Sequence, residues 1–150
     1  MNHDSKDRYF VAVKVFLEKD SKFLIIKDGF DQWDLPGGRL LTSEFEVPFE
    51  TIIKRKLTEE LGNNFSYELE KPNIFMRHER VEEAPGNPTV RIFALGYRAA
   101  LMSGSISLAS HHKEMLWVDP LDFNAEQYFT GGWLSGVKEY IQLRKQEKLQ

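Results

Sequence analysis

The chain has 150 residues, 41% hydrophobic and 29% charged, with a formal net charge of -3. Length and composition are those of a single soluble globular domain spanning 1–150, and its mild acidity argues against a nucleic-acid polymer as partner. Cysteine is absent, which excludes disulfides, a thiol nucleophile and a Cys-based zinc site.

The polar lead-in 1–8 has no apolar core and does not read as a signal peptide. It is expected to be flexible, as are the last few residues. No apolar run approaches the roughly 18 residues that would span a bilayer. A cytoplasmic protein with no membrane contact is the default expectation.

Residues 9–17, rich in Val and Phe, read as a strand, and 22–27 as its hairpin partner across the turn 18–21. Asp28-Gly29 breaks the second strand. Residues 30–35 form a short strand feeding the turn Leu35-Pro36-Gly37-Gly38. After the helix that follows, 65–81 is extended with a break at 71–73, and 82–88 is a Pro- and Gly-containing loop. Residues 89–101 are a strong strand, 102–112 a polar loop and 114–118 a short strand ended by Asp119-Pro120. Thr130 can cap a last helix whose apolar positions Trp133, Val137, Tyr140 and Ile141 recur at helical spacing. Its charged tail after Leu143 is expected to fray.

The helix over 48–61 has the most informative face. Pro48 suits its first turn, Glu50 lies near the positive end of its dipole, and Gly62-Asn63 stops it. At about 100° per residue, Ile53, Leu57 and Leu61 form an apolar stripe widened by Ile52 and Phe49. Glu60 falls inside that arc. A buried carboxylate needs a partner. A divalent metal would serve, and so would Lys56 one turn back. Two glutamates with ordinary surface ion pairs remain the plain reading of the same spacing.

From Gly38 to Gly62 the sequence resembles the Nudix box, G-x5-E-x7-R-E-U-x-E-E-x-G-U, where U is bulky and apolar. Gly38 and Glu44 are in register with it, as are Arg55, Leu57, Glu59, Glu60 and Gly62. Leu35-Pro36-Gly37 resembles the usual approach to the box. Three departures stand out. Ten residues rather than seven separate Glu44 from Arg55, an insertion expected in the loop around Phe45-Glu46-Val47. Lys56 replaces the first glutamate of the R-E-U-x-E-E run. Asn63 replaces the last apolar residue.

The resemblance implies an α+β fold, a Nudix-like α/β/α sandwich with a mixed central sheet. It implies a metal-dependent pyrophosphohydrolase acting on a nucleoside diphosphate linked to another moiety: a nucleoside triphosphate, a dinucleoside polyphosphate or a nucleotide sugar. By the same resemblance Glu59 and Glu60 would hold Mg²⁺ or Mn²⁺, with the Gly38 carbonyl and Glu44 as further ligands; whether Glu46 replaces Glu44 stays open. Arg55 would orient a glutamate. Glu59 or Glu114, which precedes Leu116-Trp117-Val118, would be the base. Arg39 and Lys56 are the expected substrate contacts, ahead of Lys27, Arg77, Arg80 and Arg91. Phe10, Phe30, Trp33 and Phe129 are aromatics that stack on a base or serve the core. His111 and His112 are weighed as substrate contacts against the commoner fate of exposed loop histidines. The missing cysteine counts against an isopentenyl-diphosphate-isomerase-like branch. The partner expected is a small nucleotide derivative, and a homodimer is left open. Lys56 also supports a rival reading, a Nudix-like module that binds a nucleotide or a protein without catalysis.

Overall fold

The computed structural model describes residues 5–112 and 114–149. Among them, strands β1 (Phe10–Lys19), β2 (Lys22–Lys27), β3 (Trp33–Asp34), β4 (Gly37–Arg39), β5 (Phe65–Leu69), β6 (Ile74–Val81), β7 (Thr89–Gly104) and β8 (Glu114–Val118) form one sheet. Helices α1 (Phe49–Leu61) and α2 (Gly131–Lys148) cover its two faces. The only parallel pairing among the described strands is β1 with β7, from Phe10↔Ile92 to Glu18↔Ala100.

The period-2 alternation of β1 divides the interior. Val13, Val15 and Leu17 point to one side, where Ile52, Ile53, Leu57 and Leu61 of α1 close over them. Ala12 and Phe16 point to the other, against Val137, Tyr140 and Ile141 of α2. Lys14 shares their side, so a charge sits inside an otherwise apolar strand. Because β1 is apolar on both faces, it can only be a central strand.

The stretch 65–81 breaks as its sequence predicts, into β5 and β6, both antiparallel to β7. The turn after Pro36 differs from expectation. Gly37–Arg39 forms a strand paired antiparallel with Ala12–Lys14 of β1. A Cβ on Gly37 would lie 2.0 Å from the Val13 carbonyl oxygen, so only glycine permits this approach. Pro48 is the N-cap of α1 rather than part of its first turn. The Gly62 N–H closes the other end on the Thr58 carbonyl at 3.0 Å.

The tail of α2 also departs from expectation: the helix continues to Lys148. Glu147 accepts hydrogen bonds from Arg98 of β7 at 2.6 and 3.1 Å. Arg144 reaches Glu18 of β1 at 2.9 Å. These ion pairs, three to six residues beyond the apolar stripe, tie the last turns to the sheet. Residues 1–4 of the lead-in, Lys113 and Gln150 lie outside the described residues.

Tyr140 is the hinge of this contact. Its ring stacks on Phe16 at 4.2 Å and its hydroxyl donates to Glu18 at 2.6 Å. Tyr140→Phe is expected to lower stability by about 1 kcal/mol, the net worth of one such hydrogen bond. Arg98 and Arg144 still hold Glu18 in the variant. A loss of several kcal/mol in urea unfolding would mean that the hydroxyl organises the whole cluster.

Candidate functional site

The candidate residues of the box gather where β4 crosses the C-terminal half of α1. Glu60, placed in the apolar arc by its helical phase, is nearly buried, with its side chain 12% exposed. One carboxylate oxygen accepts the Gly37 N–H at 2.8 Å. The other lies 3.1 Å from Nε2 of His112. Burial is the main reason why its pKa is pushed up to about 7. The Gly37 N–H and the ammonium groups of Lys14 and Lys56 act in the opposite direction. A carboxyl poised near neutral pH can hold or release a proton under physiological conditions.

The sequence leaves His112 as a substrate contact or an exposed loop histidine. The fold buries it, because the loop that carries it is stitched to the end of α1. The Ser107 N–H donates to the Leu61 carbonyl and the Ala109 N–H to the Glu60 carbonyl, both at 2.9 Å. These bonds satisfy helix-terminal carbonyls that would otherwise be orphaned. The His112 N–H turns back to the Ala109 carbonyl at 3.0 Å. Its side chain is 7% exposed, and neither ring nitrogen finds a partner in hydrogen-bond geometry. Burial, then the neighbouring His111 ring at 4.2 Å, lowers its pKa; the Lys27 backbone acts weakly against this. Nothing local in the sequence marks its burial, which arises from loop docking.

Arg55 lies between two acids. Its guanidinium donates twice to Glu44, at 2.6 and 2.7 Å, and once to Glu59 at 3.0 Å. Glu44 also accepts the Leu41 N–H at 2.8 Å, which fixes the single turn Thr42–Glu44. The guanidinium hydrogen bonds hold the Glu44 carboxyl below its usual range. Arg55 thus meets Glu44, while Glu46 is exposed. The loop after Glu44 leaves Phe45 91% exposed while Val47 packs on the core under α1. Glu59 remains half-exposed beside Arg55.

Lys56 lies against Gly38. A Cβ on that glycine would stand 2.8 Å from Nζ and 2.9 Å from Cε. Other expected contacts are engaged elsewhere. Arg39 is paired with Glu82 and covers the Phe10 ring at 4.7 Å. Lys27 reaches Asp31 at 3.2 Å and Glu114, at the start of β8, at 3.8 Å. Arg91 joins Asp7 and Glu79, and Arg80 lies 3.8 Å from Glu82. Of the aromatics, Phe129 is core at 3% exposure, Trp33 meets Tyr128 edge-on at 5.6 Å, and Phe30 is open to solvent.

Sequence reasoning also passed over Lys14 and Asp34. The ammonium donates to both Asp34 oxygens, at 2.9 and 3.0 Å, and sits 4.9 Å from the Trp133 ring. The lone lysine in Phe10-Val11-Ala12-Val13-Lys14-Val15-Phe16 was the available signal, since a central strand buries both faces. Beyond this pair a cleft of about 680 Å³ opens among Trp33, His78, Glu82, Tyr128 and Trp133. Loops 28–33 and 80–83 form much of its wall.

Among the described residues no group of three His, Asp or Glu side chains converges to hold a divalent ion. Glu44 is saturated by Arg55 and Leu41, Glu59 turns to Arg55, and Lys56 presses an ammonium on Gly38. A hard cation that needs about six oxygen ligands does not fit this set as it stands.

No protein-family model and no curated protein matches the chain. Solved structures do. It is similar to a MutT Nudix hydrolase from Burkholderia pseudomallei, with 22% identity over 88% of this chain and 98% of that one and a TM-score of 0.63. A Nudix hydrolase from Nitrosomonas europaea matches at 15% identity over 95% and 75% of the two chains, with a TM-score of 0.69. The E. coli dihydroneopterin triphosphate pyrophosphohydrolase matches at 15% identity over 91% and 99%, with a TM-score of 0.66. The chain has the fold of the Nudix hydrolases, an α/β/α sandwich around a mixed sheet. Among the described residues no helix is long and apolar enough to cross a membrane.

Proposed function

We propose that the protein is a pyrophosphohydrolase that cleaves a phosphoanhydride bond in a nucleoside diphosphate linked to another moiety. One observation carries this reading: the box residues meet at one point, with the Gly37 N–H on Glu60, Lys56 on Gly38 and the Glu44–Arg55–Glu59 chain alongside. The Nudix fold shared with hydrolases supports it.

In this reading the polyphosphate lies along the Gly37–Gly38 strand, where Lys56 offsets its charge. Mg²⁺ or Mn²⁺ comes with the nucleotide as part of the substrate. Glu59 or Glu114 takes the proton of the attacking water, and both are exposed enough to meet it. Arg55 holds Glu59 in place by a charge-assisted hydrogen bond. The nucleoside occupies the cleft beside Trp33. Asp28, Asp31, Glu79, Glu82 and Glu83 line that cleft with Arg80, and their charge keeps the phosphates at the Lys56 end. The site serves a monomer or a homodimer, acts away from membranes and nucleic-acid polymers, and is suited to the cytoplasm.

Incubation with nucleoside triphosphates, dinucleoside polyphosphates and nucleotide sugars in Mg²⁺ or Mn²⁺ is expected to release phosphate or pyrophosphate from at least one class. Excess chelator should stop the release. Turnover that survives the chelator would overturn the metal-carrying substrate. The Lys56 contact with Gly38 favours one rival, a module that binds nucleotide without cleaving it. Saturable binding with intact nucleotide after long incubation would establish the rival.

A further inference from the structure

We infer that the ammonium group of Lys56 stands in place of the resident divalent ion that this fold implies, so that the free protein takes up no such ion at the Gly38–Glu60 site. The inference rests on the reading of this site as the phosphoanhydride site. It adds how the site is charged before substrate arrives and which substrate form it accepts.

The steric observation comes first. Gly38 has no side chain, and the space that a Cβ would fill is bordered by Lys56 Nζ at 2.8 Å and Cε at 2.9 Å. The end of the lysine therefore packs onto the backbone at the point where the resemblance places a metal-bound carbonyl. Lys56 is one turn before Glu60 on α1, and its charge acts on both Glu60 and Glu44.

The ligand set agrees. Glu44 spends both oxygens on Arg55 and Leu41. Glu59 is drawn to Arg55. Glu60 gives one oxygen to the Gly37 N–H and turns the other to the His112 ring at 3.1 Å. An ion entering here would have to break these bonds and accept a like charge at contact distance. A Mg²⁺ or Mn²⁺ ion already chelated by phosphates brings most of its ligands with it and so avoids that cost. The ammonium, with three donors, is then free to bind phosphate oxygens as a point charge. The favoured substrate is the metal-complexed polyphosphate, and ion and nucleotide enter together.

Titration with Mn²⁺ alone, read by calorimetry and by the loss of the free-ion electron paramagnetic resonance signal, tests this without nucleotide. The wild-type protein is expected to show no binding up to millimolar Mn²⁺. Lys56→Glu, which removes the ammonium and adds a ligand, is expected to tighten binding at least tenfold. Micromolar binding by the wild type that Glu60→Gln abolishes would overturn the inference, as would equal affinities of wild type and Lys56→Glu. Should Lys56→Glu fail to fold, Lys56→Met removes the charge alone, and a several-fold gain is expected; no gain overturns the inference. Failure of every nucleotide to be hydrolysed would remove the proposed function and leave this result standing.

Discussion

Glu60→Gln is expected to slow turnover of a responsive nucleotide by about 100-fold or more and, at pH 8, to make the protein more stable. The rate follows from removing the carboxylate at the Gly37–Gly38 strand that a metal arriving with the nucleotide would meet, and one lost group at a preorganised site typically costs that much. The stability follows from linkage. The buried carboxyl titrates near 7 in the folded protein, against 4.5 for the ordinary group. The folded state therefore binds this proton more tightly, and its advantage is complete below about pH 4.5. It is lost as pH rises toward 7, a change of about 3 kcal/mol. Glutamine stays neutral at every pH and keeps an oxygen for the Gly37 N–H. Its gain should be absent below pH 4.5, grow as pH rises and be complete above pH 7. Urea unfolding of both proteins from pH 4 to 8 measures it. Parallel profiles would show that Glu60 titrates like an exposed acid, and normal turnover would place the chemistry elsewhere.

Asp34→Ala is expected to cost about 3–5 kcal/mol, the usual penalty for leaving one member of a buried ion pair alone. Lys14 is 5% exposed and donates to both Asp34 oxygens. Without Asp34 its ammonium keeps the face of Trp133 and the charge of the Glu60 carboxyl, and no carboxylate in direct hydrogen bond. The reverse change, Lys14→Met, should cost less, because the Asp34 side chain is 33% exposed and can be hydrated. Adding Lys14→Met to Asp34→Ala should recover most of the loss, since the double variant buries no charge. Unfolding midpoints of the three variants decide it. A loss under 1 kcal/mol for Asp34→Ala would mean that the ammonium reaches water.

These two sites differ in how far the sequence disclosed them. Glu60 was legible because a helix of fixed period assigns each residue an angle, and Glu60 falls between Phe49 and Ile53. The strands were legible for a similar reason: β1, β2, β6, β7 and β8 are each a run of apolar or alternating residues. Pairing across distance was not. Asp34 meets Lys14 from 20 residues away, Glu82 meets Arg39 from 43, and Glu147 meets Arg98 from 49. No local pattern encodes such partners. The same applies to His112, whose burial depends on backbone bonds between a loop and the end of α1. Gly37–Arg39 shows the limit most plainly. Two glycines signal a turn, and they are equally what lets a strand approach β1 to within a backbone's width.

The loop at Phe45 gives the protein a practical handle. Three added residues cost little in closure entropy on an exposed loop, and the side chain at its tip touches almost nothing. Because the chain contains no cysteine, Phe45→Cys would create a single thiol ahead of α1, on the strap that carries Glu44. A fluorophore attached there would report ligand arrival through its own emission, with no background labelling and no change to the side chains of the candidate site.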